Sequence, residues 1–96
     1  MGMNTLVQAQ GKEYSCDEAF IIMNDALNSQ DYPRAYEYLN LLLAGTCDDK
    51  IKEKSSIITN GYAILNKLIK ASEGEEKAKY VKEIHDVYKK GFDVIG

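Results

Sequence analysis

The sequence predicts an all-α domain, built as a four-helix antiparallel bundle or as stacked helical hairpins, preceded by a loose N-terminal arm. Three observations lead there. Apolar residues recur at alternating steps of three and four in four separate segments, which is the period of one helix face. The breaks between those segments are short and carry capping or turn residues. Two cysteines stand almost evenly about a turn: Cys16 lies 15 residues before Asp31, and Cys47 lies 14 residues after Pro33. If both flanks are helical and fold back on each other, the two sulfurs arrive at the same end. No segment alternates with a period of two for long enough to predict a strand.

Residues 1–14 show no helical period and are read as the arm, with residues 15–96 as a single helical domain. Met1-Gly2-Met3 resembles an expression scar. Val7-Gln8-Ala9 carries small residues at the −3 and −1 positions of a signal-peptidase site, with Gln10-Gly11-Lys12-Glu13 then opening the mature chain.

The first helix is expected over 16–29. Ser15 and Glu18 fit a capping box, in which the serine hydroxyl accepts from the N–H of residue 18 and the glutamate accepts from the N–H of residue 15. Asp17 and Glu18 suit the positive end of the helix dipole. Cys16, Ala19, Phe20, Met23, Ala26 and Leu27 form its stripe. Asp31 is the expected N-cap of the second helix, and Pro33 sits in the first turn, where no N–H is needed. Ala35, Leu39, Leu42 and Leu43 form the second stripe, with Tyr36 and Cys47 along its edge and Gly45 as the stop.

The third helix is the longest, capped by Thr46 or Asp48. Ile51, Ser55, Ile58, Tyr62, Leu65 and Ile69 follow a heptad seam, and Ile57, Gly61, Ile64 and Leu68 make a second stripe beside it. So wide an apolar face predicts burial on two sides. Gly61 marks either a close approach of helices or a bend. Ser72 and Glu75 suggest another capping box around Gly74. Ala78, Val81, Ile84, Tyr88, Phe92 and Ile95 then define the expected core stripe of the fourth helix.

The run Asp31-Tyr32-Pro33-Arg34-Ala35, followed by Leu39 and Leu42, resembles the second helix of a tetratricopeptide repeat, over about a third of the chain with its preceding helix. The resemblance implies a repeat-type helical hairpin. Met23 and Gln30 stand where that family places small residues or glycine, and the third and fourth helices do not repeat the pattern, so a generic helical hairpin fits the same residues.

Composition narrows the class. Of 96 residues, 45% are apolar and 28% charged, an ordinary globular balance. The longest apolar runs, Ala19–Met23 and Leu41–Ala44, are too short to cross a bilayer, so no membrane insertion is expected. The net charge of −3 gives no general attraction to nucleic acid, and the lysines of the last segment are diluted by Glu83, Asp86 and Asp93. The charge is uneven: residues 1–50 carry 3 basic and 8 acidic side chains, residues 51–96 carry 9 basic and 7 acidic. Two solvated faces explain this, and so does a dipolar molecule that self-associates or docks on an oppositely charged surface.

The residues that could carry chemistry are few. Cys16 and Cys47 are read as a structural disulfide, since their spacing is unlike the C-x-x-C of redox enzymes. Two cysteines and one histidine are too few for a zinc site, Glu73, Glu75 and Glu76 lack a calcium-loop pattern, and no phosphate-cradling glycine run exists; no cofactor is expected. His85 has Asp86 beside it but no nominated nucleophile, so it reads as a histidine at the edge of the core.

Seven tyrosines are many for this length. Tyr32, Tyr36 and Tyr38 cannot all face one stripe, and tyrosine favours interfaces. Asp31, Tyr32, Tyr36, Glu37 and Tyr38 are therefore the candidate protein-binding residues, while Tyr62 and Tyr88 read as core with a polar tip. The sequence thus points to a small non-enzymatic helical module that binds another protein or itself. An exported bacterial accessory, inhibitor or immunity protein, or chaperone-like protein fits this size and single disulfide. That places it in the periplasm or outside the cell. A cytosolic adaptor or phage-type regulator with reduced thiols is the rival, and a small hydrolase using His85 with several carboxylates is the more distant one.

Overall fold

The computed structural model describes residues 6–9 and 12–96, with side chains from Tyr14 onward. Five helices follow one strand pair: β1 (Leu6–Ala9), β2 (Lys12–Ser15), α1 (Cys16–Asn28), α2 (Tyr32–Leu43), α3 (Asp48–Glu53), α4 (Ser56–Lys70) and α5 (Gly74–Ile95). Helices α1 and α2 form one hairpin, α4 and α5 another, and the two stack through α2 and α4, with α3 as a short connector lying against α5. The all-α expectation holds in its stacked-hairpin form.

The expected arm is corrected. β1 and β2 pair antiparallel, Leu6 opposite Ser15 and Ala9 opposite Lys12, and the pair lies against α1 and α2. Four-residue strands leave too short a pattern to read by alternation. The Val7-Gln8-Ala9 stretch falls in β1, while Met1-Gly2-Met3 and Gln10-Gly11 lie outside the described residues.

The first hairpin follows its local signals. Ser15 Oγ accepts from Glu18 N at 3.1 Å and Glu18 Oε1 accepts from Ser15 N at 2.9 Å, which is the capping box. Asp31 Oδ1 accepts from Arg34 N at 3.3 Å, and Pro33 lies in the first turn of α2. The chain reverses between them at Gln30, whose φ is +61°. Cys16, Ala19, Met23 and Ala26 of α1 are buried against Ala35, Leu39 and Leu42 of α2. Tyr38 is buried with them, its ring meeting that of Tyr14 edge-on at 5.4 Å.

The single long third helix is also corrected. It breaks at Lys54, which leaves helical geometry (φ −123°, ψ 79°), and restarts at Ser56. Consecutive serines are weak helix formers because their hydroxyls compete for backbone groups. The break uncouples Ile51, buried at the end of the first hairpin, from α4. Helix α4 then buries Ile57, Ile58, Gly61, Ile64, Leu65 and Leu68, chiefly the second of the two expected stripes. The Ser72/Glu75 box is absent too: α5 has no side-chain cap, and its first residue is Gly74 at φ +64°.

The largest correction concerns α5. Its buried residues are Tyr80, Val87 and Gly91, with Ile84 and Val94 partly covered. Of the stripe expected to face the core, Ala78, Val81, Tyr88, Phe92 and Ile95 are exposed. Close approach decides the matter. Gly61 of α4 faces Val87 and Leu39, and Gly91 of α5 faces Ile58. Tyr36 of α2 fixes the rotation further, stacking edge-on against Tyr80 at 5.3 Å and bonding to Glu83.

Candidate interaction surface

The sequence-nominated residues are mostly committed to the fold. Cys16 and Cys47 are joined in a disulfide with Cα atoms 5.7 Å apart. It ties the start of α1 to the loop beyond α2, which the antiparallel hairpin brings together. A depression of about 250 Å³ beside it is lined by Asp17, Asp49, Lys50 and Glu53 among others. Lys50 pairs there with Asp17, and with Glu53 at 3.1 Å. The hydrogen bond to Asp17 comes first in holding the Lys50 ammonium above its ordinary pKa. These contacts explain the depression as an electrostatic seam between α1 and α3.

The tyrosine face is largely spent inside the molecule. Tyr38, expected among the contact residues, is fully buried and is removed from that set. Its spacing matches the α2 stripe once Ala35, Leu39 and Leu42 define it. Tyr36 is half-buried and donates from Oη to Glu83 Oε1 at 2.6 Å. Burial first, and the bond to Glu83 second, push its hydroxyl above the ordinary pKa. Tyr32 is half-buried with the Lys67 ammonium 5.9 Å from its ring centre. Asp31 caps α2, and Glu37 is half-buried. His85 is exposed on α5 rather than at the core edge. Among the described residues, no group of three or more His, Cys, Asp or Glu side chains is placed to hold a metal ion. Among the same described residues, no helix is long and apolar enough to cross a membrane.

What the sequence reading missed as a surface is the outer stripe of α5. Tyr88 is 66% exposed, Phe92 69%, Ile95 47% and Val81 41%. These residues, with His85, advance by 4, 3, 4 and 3 and so run in a line along the helix. The inward set, buried Tyr80, Val87 and Gly91 with partly covered Ile84 and Val94, has the same steps, one residue earlier. One residue is about 100° around a helix, so α5 carries two adjacent stripes, the outer one apolar except at His85, and covers only the first. The C-terminal half of the outer stripe joins Ile58 and Tyr62 of α4 in a groove of about 200 Å³, with Gly91 in its floor. A signal for this surface was present: Val87 and Gly91 share the heptad steps of Tyr80, and glycine on a helix face marks close packing. By contrast, Ile21 on α1 is exposed among Asp17, Glu18 and Asp25, and a singly exposed apolar residue is ordinary.

Lys82 and Lys89 edge the outer stripe on its solvent side. Lys82 meets Asp86 at 3.8 Å with both side chains exposed, a contact that water and salt screen. Comparison with known protein families, curated proteins and solved structures finds no match to this chain.

Proposed function

We propose that this protein is a small non-enzymatic helical module that binds another protein through the outer stripe of α5 and the adjoining groove. One observation carries the reading: two aromatic side chains, Tyr88 and Phe92, lie about two-thirds exposed in line with Ile95 and Val81. Contiguous exposed apolar side chains cost solvation that association recovers, and aromatic anchors dominate such contacts. This replaces the Tyr32–Tyr36–Tyr38 face, whose side chains are mostly tied to Lys67, Glu83 and the core.

The disulfide supports action in an oxidising compartment, periplasmic or secreted, as an accessory, inhibitor or immunity, or chaperone-like protein. The rival is a cytosolic adaptor or phage-type regulator with reduced thiols. Mass measurement under non-reducing conditions, on protein recovered from its native compartment, separates the two: a mass lower by the two thiol hydrogens favours export.

The test of binding is cross-linking in the source cells with the wild type and with Phe92→Asp. Phe92 is exposed, so the variant keeps its far-UV spectrum and melting temperature. A protein captured by the wild type and lost with Phe92→Asp supports the reading. An identical cross-link profile for both removes this face as the contact surface.

A further inference from the structure

Resting on that reading of the α5 face, we infer that the protein bound there is a second copy of this chain, laid antiparallel so that two α5 helices pair across a two-fold axis at Tyr88. Val81, His85, Tyr88, Phe92 and Ile95 are all exposed. From Val81 to Ile95 the line runs about 21 Å at 1.5 Å per residue.

The residues of the stripe fit one register. A two-fold contact brings the same patch of both copies together, so a residue some way before the axis meets one as far after it. With Tyr88 opposite Tyr88 of the second copy, Val81 comes opposite Ile95, each seven positions from the axis. The groove beside Phe92 and Ile95 then lies level with Val81 of the second copy, which offers it an apolar side chain. His85 stands three positions before Tyr88 and Phe92 four after. The imidazole is therefore level, to within one position, with the Phe92 ring of the second copy, and the one break in the apolar line falls where two rings meet.

The charges fit the same register. Lys82, Asp86, Lys89 and Asp93 form the solvent-side rim of the stripe and are all exposed. Glu83 and Lys90 beside them are bonded within the chain, to Tyr36 and Asp48. Lys82 stands six positions before Tyr88 and Asp93 five after, while Lys89 stands one after and Asp86 two before. Each lysine thus comes level with an aspartate of the second copy to within one position, about 1.5 Å of helix rise. The two Lys89 side chains also approach each other near the axis, and each has an Asp86 of the other copy beside it. A rim of both signs in this order prefers neither an acidic nor a basic partner, but it is complementary to itself. Parallel pairing, about an axis along the helices, would turn the two rims to opposite sides and lose these pairs. The contact is one helix face, at the small end of specific interfaces, so a dissociation constant in the micromolar range is expected.

The test is sedimentation equilibrium of the full-length oxidised protein over a micromolar to millimolar series, at low and moderate salt. Wild type should dimerise, and Phe92→Asp should stay monomeric. Lys82→Glu/Lys89→Glu and Asp86→Lys/Asp93→Lys each set like charges level with one another, so each alone should dimerise at least about tenfold more weakly than wild type. Mixed in equal amounts, the two should recover a dimer containing one copy of each, less tightly as salt rises. All these substitutions are on exposed side chains, and circular dichroism checks that each variant folds. Monomeric wild type across the series overturns the second copy. So does a dimer that survives Phe92→Asp, which would use another face, and so does a dimer that neither charge variant weakens, which would not have this register. The wider reading fails separately, by a cross-link profile in cells that Phe92→Asp leaves unchanged. Monomeric wild type with a Phe92-dependent cross-link to a different protein removes the second copy and keeps the face.

Discussion

Gly91 of α5 lies so close to Ile58 of α4 that a Cβ at position 91 would stand 3.1 Å from Ile58 Cγ2. About one turn away, a Cβ at Gly61 would meet Val87 Cγ1 at 3.2 Å. Each helix of the second hairpin thus supplies one glycine at the crossing, and each glycine receives a branched side chain from the other. This fit turns Tyr80, Val87 and Gly91 inward and leaves Tyr88 and Phe92, each one position later in the chain than a buried residue, on the outside.

Enlarging Gly91 tests that fit. Gly91→Ala gains about 1 kcal/mol of helix propensity and loses a comparable amount by crowding Ile58, so its stability should stay within about 1 kcal/mol of wild type. Gly91→Val has nowhere to place its methyl groups and should cost about 1–3 kcal/mol. Urea denaturation measures both. A valine variant as stable as wild type would show that the helices have room to separate there.

The bond from Tyr36 to Glu83 gives a stability term with a defined pH dependence. The folded-state pKa of Tyr36 is raised by burial and by that bond, so the folded protein holds this proton more tightly than the unfolded chain does. The contribution is therefore complete below the unfolded value, near 10, and disappears as pH climbs through the higher folded value. Tyr36→Phe should lose about 1 kcal/mol at neutral pH, the lower range for a half-exposed bond to a carboxylate. Its melting temperature should also fall less steeply than that of wild type above pH ~10. Parallel alkaline curves for the two proteins would show that the bond does not contribute.

Tyr38 should respond in the opposite sense. Its hydroxyl is buried with no well-formed hydrogen bond among the described residues, though the Tyr14 hydroxyl is its polar neighbour and, ahead of burial, holds its pKa above the ordinary value. A buried polar group without a partner costs about 1–3 kcal/mol. Tyr38→Phe keeps the ring against Tyr14 and removes that cost, so the melting temperature should rise or stay level. A clear drop would reveal an acceptor for the hydroxyl in solution.

Opening the disulfide should reduce stability without unmaking the helices. Cys16 and Cys47 are separated by 31 positions, and a loop of that size is worth about 3–4 kcal/mol on the chain-entropy model. Denaturation with and without reductant, and of the double variant Cys16→Ala/Cys47→Ala, measures it. A loss below about 1 kcal/mol would mean that the first hairpin closes equally well unaided.

Much of the first hairpin was legible in the sequence because its signals are local. The Ser15–Glu18 box, the Asp31 cap and the α1 and α2 stripes each involve residues within a few turns of one another. The cysteine pairing followed from helix lengths and one turn. Tyr38 was misplaced because its step relative to Leu39 and Leu42 admits either the stripe or its border, and the neighbouring ring of Tyr14 covers it. The candidate surface was read as core for a related reason: an aromatic stripe at helical spacing looks the same whether another helix covers it or not.

The sequence by itself determined where most helices start and stop, that the first two fold back on each other, and that two sulfurs meet at their open end. Tertiary structure alone decided which of the two apolar stripes of α5 enters the core. Both stripes have the same period, so periodicity does not separate them, and Gly91 is the sequence's one pointer to the packed stripe. Close packing does, because Gly91 and Val87 admit Ile58 and Gly61 at short range, whereas the rings of Phe92 and Tyr88 in those places would hold α4 and α5 apart.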